Sequence, residues 1–229
     1  LAAGWLVIGF YLGMRAARSE WGATRDAAVA ALALGLAVLT EYPALLPAIG
    51  IGVTVLLAGR RKREVLVGAL GAVPPALLLM FHQYISFGSP FAIGYGHLQG
   101  TPFSSEMSRG VFGIATPSAL AAAQLLFGQY RGLFVYAPVL AAAVAAFAFW
   151  PRREFRRVAA PCLAGSVALW LVIASYAYWQ GGPAFGPRHL VAAIPLIGCG
   201  RAFWPAGKGW RRAFGLIAAV SIGVNLVGT

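Results

Sequence analysis

Acidic residues are scarce: six Asp and Glu stand against eighteen Lys and Arg in 229 residues, and charged side chains make up only 10% of the chain. A soluble domain carries about 25% charged residues and needs polar groups to cover its surface, so a soluble domain is excluded. Cysteine is nearly missing. Cys162 and Cys199 are solitary, lack metal-ligand spacing, and read as small buried hydrophobes. There is no internal repeat, low-complexity tract or Gly-rich nucleotide loop. Alternation of apolar with polar residues is lacking as well, which excludes a transmembrane barrel. The apolar runs contain almost no Asp or Glu, which argues against a proton- or sodium-coupled carrier.

What remains is apolar. Hydrophobic residues fill 60% of positions, in Ala-, Leu- and Val-rich runs of roughly 15 to 21 residues, close to the ~20 that carry a helix across a bilayer. Only helices satisfy every backbone amide within such a run. The expected fold is all-α, a polytopic transmembrane bundle. About eight segments are expected, near 1–14, 26–40, 43–59, 65–85, 133–150, 158–179, 189–205 and 213–228. The whole chain, 1–229, reads as a single transmembrane domain. It opens within an apolar run, and upstream helices are therefore expected before Leu1.

Charge orders these segments. Fifteen of the eighteen basic residues fall in alternate connections: Arg15, Arg18 and Arg25; Arg60 to Arg63; Arg152, Arg153, Arg156 and Arg157; Arg201, Lys208, Arg211 and Arg212. Lys and Arg are retained in the cytoplasm, so these connections are topological signals rather than a nucleic-acid patch. The same pattern resolves the long run 26–59. Two passes broken at Thr40-Glu41-Tyr42-Pro43 keep both flanking clusters inside, and the residue before a proline avoids the helical region.

The outward side holds the varied segments, above all 86–132. There Thr116 as N-cap, Pro117 at the first helical position, Ser118, Ala119 to Phe127 and then Gly128 signal a short helix, too short to cross, lying at the interface or packed on its neighbours. Arg109, Arg131 and Arg188 are the outward basic residues. Arg109 reads as a lipid-facing side chain or a partner of Glu106. Arg188, in the rigid Gly182–Leu190 loop after Tyr176, Tyr178 and Trp179, suits a fork grip on phosphate; Arg131 sits at the mouth of the helix from Leu133. His189 is either a hydrogen-bond donor to substrate or a structural imidazole. Glu41 is the one carboxylate between two apolar arms. It is either a base, metal ligand or hydroxyl acceptor, or a solvated turn residue. His82, Gln83 and Tyr84 close the helix 65–85 on the same side. The catalytic candidate is Glu41; the substrate-binding candidates are Arg188, His189, Arg131, Tyr42, His82 and Tyr84. No metal-binding set is seen, and no cofactor is identified; a divalent metal is left open. Trp150, Trp170, Trp179, Trp204, Tyr130 and Tyr136 fit interfacial aromatic belts.

Gly35 through Leu46 resembles a hairpin of the multi-pass glycosyltransferases of the GT-C class, which include bacterial relatives of protein mannosyltransferases and lipopolysaccharide-core sugar transferases. Phe87-Gly88-Ser89-Pro90-Phe91, Arg131 through Pro138, and Trp179 through Leu190 are similar to recurring outward motifs of bacterial members. The resemblance covers about 26–200 and lies in the order of the motifs. It implies a bacterial inner-membrane enzyme that moves a sugar from a polyprenyl-phosphate carrier to a lipid, glycan or protein acceptor on the outer face. It also implies a catalytic carboxylate in a first outward loop, upstream of Leu1. Relatives often carry a basic residue at the position of Glu41. A lipid or glycan flippase and a non-catalytic scaffold are the competing readings.

Overall fold

The computed structural model describes all residues except 20, 21, 93, 98–103, 105, 106, 108, 109, 112, 150–154, 183, 184, 206, 228 and 229. Glu106, Arg109, Trp150, Arg152 and Arg153 therefore lie outside the described residues, as does the side chain of Arg156. Among the described residues the protein is all-helical, without a strand.

α1 (Ala2–Arg18) and α2 (Ala23–Thr40) run antiparallel, with Gly9 facing Leu34 and Arg15 reaching Asp26 through hydrogen bonds of 2.6 and 2.5 Å. α2 buries Ala23, Ala27, Ala30, Ala33 and Ala37, spaced three or four apart on one face. Such small residues let helix backbones approach closely where lipid gives no hydrophobic drive for association. A tight turn, Tyr42–Ala44, leads to α3 (Leu45–Ala58), and α4 (Lys62–Phe87) follows. Then come α5 (Ala119–Phe127), α6 (Leu133–Tyr136), α7 (Pro138–Ala146) and α8 (Ala160–Ala174). The last part comprises a 3-10 stretch Arg188–Ala193, α9 (Ile194–Gly198), a second 3-10 stretch Cys199–Phe203, and α10 (Lys208–Val227).

Among the described residues four helices are long and apolar enough to cross a membrane: Ala23–Thr40, Lys62–Phe87, Arg157–Ala174 and Lys208–Val227. This is consistent with an integral membrane protein. The expected count of about eight segments is not supported. The arm expected over 43–59 begins in a 3-10 turn and leaves α3 only 14 residues. The arm over 133–150 breaks at Ala137, ahead of Pro138. The arm over 189–205 is two 3-10 stretches around a five-residue helix, and α1 has 17 residues.

The break at Ala137 is repaired from outside. Asn225 of α10 donates to the Tyr136 carbonyl at 2.7 Å, and Ser221, one turn away, accepts from the Val139 amide at 2.9 Å. Backbone groups freed at membrane depth need such partners. Elsewhere α10 leaves Leu216, Val220, Ile222 and Leu226 exposed, and α4 leaves Leu70, Leu77, Leu78 and Phe81 exposed. Apolar surface of that extent suits contact with lipid.

α3 and α8 cross closely in the centre. A Cβ at Gly165 would lie 2.8 Å from the Leu46 carbonyl oxygen, and one at Gly50 would lie 2.6 Å from that of Pro161. Beside them Thr54, fully buried, donates to the Gly50 carbonyl at 2.9 Å and lies 3.2 Å from Cys162 Sγ. Both obstacles to a side chain are backbone, so neither yields by rotation. Gly165→Leu is expected to separate the helices at a cost of at least ~1–3 kcal/mol. Thermal unfolding in detergent checks this: the variant melts well below the wild type, whereas Gly52→Ala, at a position open to solvent or lipid, does not.

Two of the basic connections meet at one end. The Arg60 amide donates to the Ala17 carbonyl, which joins the turn between α3 and α4 to the turn between α1 and α2. Further into the bundle the α3 residue Thr54 contacts the Val158 carbonyl. Phe149, Trp204 and Trp210 stack edge to face where α7, the second 3-10 stretch and α10 meet.

Candidate functional site

The opposite end collects the candidate residues. The Tyr42–Ala44 turn packs on the Arg188–Ala193 stretch, and both are rooted in one apolar cluster containing Ala44, Leu125, Leu133, Ile173 and Leu190. Backbone bonds stitch the segment before α5 to the end of α8: Ala115 donates to Ser175, Ser118 to Ala174 and Ala177 to Gly113. The short helix α5 begins two residues later than its sequence signals suggest. Its N-cap is Ser118, whose hydroxyl accepts from the Ala121 amide at 3.3 Å, and not Thr116. α5 buries Ala121 and Leu125, and its Ala122 carbonyl accepts from the Trp170 indole at 3.0 Å. It is thus packed on α8, with Leu120 and Phe127 left exposed.

Arg131 is buried, only 1% exposed. Its guanidinium donates to the Gly186 carbonyl at 2.8 Å, to the Gly182 carbonyl and to the Tyr130 hydroxyl, and it lies over the Tyr130 ring at 4.2 Å. One planar fork therefore holds both ends of the Gly182–Gly186 loop, which a point-charge ammonium could not do. Gly181, Gly182 and Gly186 all have positive φ. A Cβ at Gly181 would also meet His189 Nε2 at 2.7 Å, so space and backbone both require glycine there.

The clamped loop presents Arg188, which is exposed. His189 beside it is half-buried, edge-on to Tyr176 at 6.1 Å, and its buried Nε2 has no hydrogen-bond partner among the described residues. Two cations, Arg131 and Arg188, thus flank an imidazole at the head of the 3-10 stretch, which makes this the electropositive part of the site.

Glu41 is exposed at the tip of the α2–α3 hairpin and forms no ion pair among the described residues. Tyr42 is 41% exposed, and its hydroxyl accepts from Gln83 Nε2 across the gap to α4. His82 and Tyr84 are exposed. Gln83 between them is the inward residue, 4% exposed, and its Oε1 has no partner among the described residues. A buried amide oxygen left unpaired costs about 1–3 kcal/mol. Gln83 is the residue whose importance the sequence does not reveal. A polar triplet in the last turns of an apolar helix marks the place, but only the packing tells which member turns inward.

Among the described residues no group of three His, Cys, Asp or Glu is placed to hold a metal ion. The site offers a cation, an imidazole, a carboxylate, phenols and an amide, a set suited to an anionic and hydroxyl-rich ligand.

Comparison of the chain with protein-family models, curated proteins and solved structures gave no match. The resemblance thus rests on its motifs, and the function on this geometry.

Proposed function

We propose that this protein is a membrane glycosyltransferase that moves a sugar from a polyprenyl-phosphate carrier to an acceptor on the outer face of a bacterial inner membrane. The observation that carries the reading is the packing of the Tyr42–Ala44 turn, which follows Glu41, on the Arg188–Ala193 stretch, which follows the loop that Arg131 clamps. The charge asymmetry supports the orientation, with the Arg15, Arg18 and Arg60–Arg63 end cytoplasmic. In this reading the four long helices and the shorter ones together make about eight passes.

The acceptor hydroxyl oxygen attacks the anomeric carbon as the bond from that carbon to the carrier phosphate oxygen breaks. The electron pair leaves with the polyprenyl phosphate, whose growing charge Arg188 stabilises. The hydroxyl proton passes to a carboxylate; Glu41 is the candidate within this chain. Arg131 positions Arg188 by fixing the loop. Tyr42, His82, Tyr84 and His189 line the approach of sugar and acceptor.

The test is release of polyprenyl phosphate from radiolabelled polyprenyl-phosphate sugars by the complete protein in nanodiscs, with envelope lipid or peptide acceptors. Release with transfer of label to an acceptor supports the reading. Movement of the intact lipid between leaflets, without release, marks a flippase instead.

A further inference from the structure

We infer that Gln83 is the hydroxyl-recognising residue of this site: its buried amide, held by Tyr42 and left with one polar atom unspent, takes a hydrogen bond from a sugar hydroxyl of the carrier-bound donor. The inference rests on the glycosyltransferase reading and names a contact within it.

Three observations carry it. Gln83 is nine-tenths buried, yet half of its amide has no partner among the described residues. The other half is fixed by the Tyr42 hydroxyl, forty-one residues away in sequence, so the amide is oriented across two elements and not merely tucked into its own helix. The neighbours on either side, His82 and Tyr84, are exposed, and so is the Tyr42 ring in part. A ligand reaches the amide by shifting those rings, without unpacking the core. A sugar hydroxyl both donates and accepts, so it satisfies whichever end of the amide faces away from Tyr42. Phosphate only accepts, as an ionised ester does, and already has a cation at Arg188. Sites that hydrogen-bond a hydroxyl from a buried polar group reject analogues lacking it strongly, because the group is then left unpaired.

A structural role would show itself in stability. Gln83→Met keeps the length of the side chain and removes the unpaired amide. In the complete protein without ligand, the variant is expected to melt at or above the wild-type temperature. Binding is then read with undecaprenyl phosphate and with its mannosyl and glucosyl esters, in nanodiscs. The expected result is about a tenfold to hundredfold loss of affinity for the preferred glycosylated lipid, with affinity for undecaprenyl phosphate itself unchanged. Tyr42→Phe, which frees the amide without deleting it, is expected to show a smaller loss of the same kind. Equal weakening of both lipids by Gln83→Met, no weakening, or a lowered melting temperature overturns the role of Gln83 and leaves the transferase reading standing. Failure of the wild type to bind any of the lipids overturns both.

Discussion

Replacing Arg188 by alanine in the complete protein is expected to abolish sugar transfer while leaving membrane insertion and melting temperature as they are. Arg188 is exposed, so no buried partner is orphaned by its loss. Its neighbours keep their own bonds, since the loop is held by Arg131 and by the bond from the Arg188 amide to the Gly186 carbonyl, which alanine preserves. Loss of one group that stabilises a developing anion costs roughly 10²- to 10³-fold in kcat. The measurement is release of polyprenyl phosphate per unit of inserted protein. Wild-type turnover in Arg188→Ala would remove the residue from the mechanism.

Arg131→Lys is expected to do the opposite: it damages the fold first and activity as a consequence. The guanidinium reaches the carbonyls of Gly182 and Gly186 and the hydroxyl of Tyr130 from one buried plane. An ammonium offers no such fork. Hydrogen bonds to charged groups contribute about 1.5–3 kcal/mol each, so loss of one or two is a large part of any membrane protein's margin. The variant should melt earlier and expose the 181–187 loop to limited proteolysis. Arg188→Ala should do neither. An Arg131→Lys protein with wild-type stability and only a weakened affinity for polyprenyl phosphate would make Arg131 a phosphate ligand instead.

The contrast between these two arginines shows what was legible in the sequence. Helical class, the hairpin break at Glu41-Tyr42-Pro43 and the short helix before Gly128 rest on local chemistry, and the structure has them all. The alternation of basic with varied connections likewise needs only the order of charges along the chain. The number of long helices was not legible. The runs 133–150 and 188–203 are as apolar as true spans, and the break at Ala137 depends on Ser221 and Asn225, which come from another helix. Burial of polar groups was equally hidden. Arg131 and Arg188 look alike as outward arginines beside glycine and aromatic residues, and only the fold turns one inward. Gln83 stands between two more conspicuous residues and is the one that packs.

The central claim is that the carrier phosphate binds at the end where Tyr42, Gln83 and Arg188 lie. The direct measurement is photo-crosslinking of a diazirine-bearing undecaprenyl phosphate to the complete protein, with the labelled peptides identified by mass spectrometry. Labelling confined to the Thr40–Ala44 turn, the end of α4 and the 176–190 segment, and lost in Arg188→Ala, is the predicted result. Labelling at the other end, around Arg15, Arg18 and Arg60–Arg63, unaffected by Arg188→Ala, would contradict it.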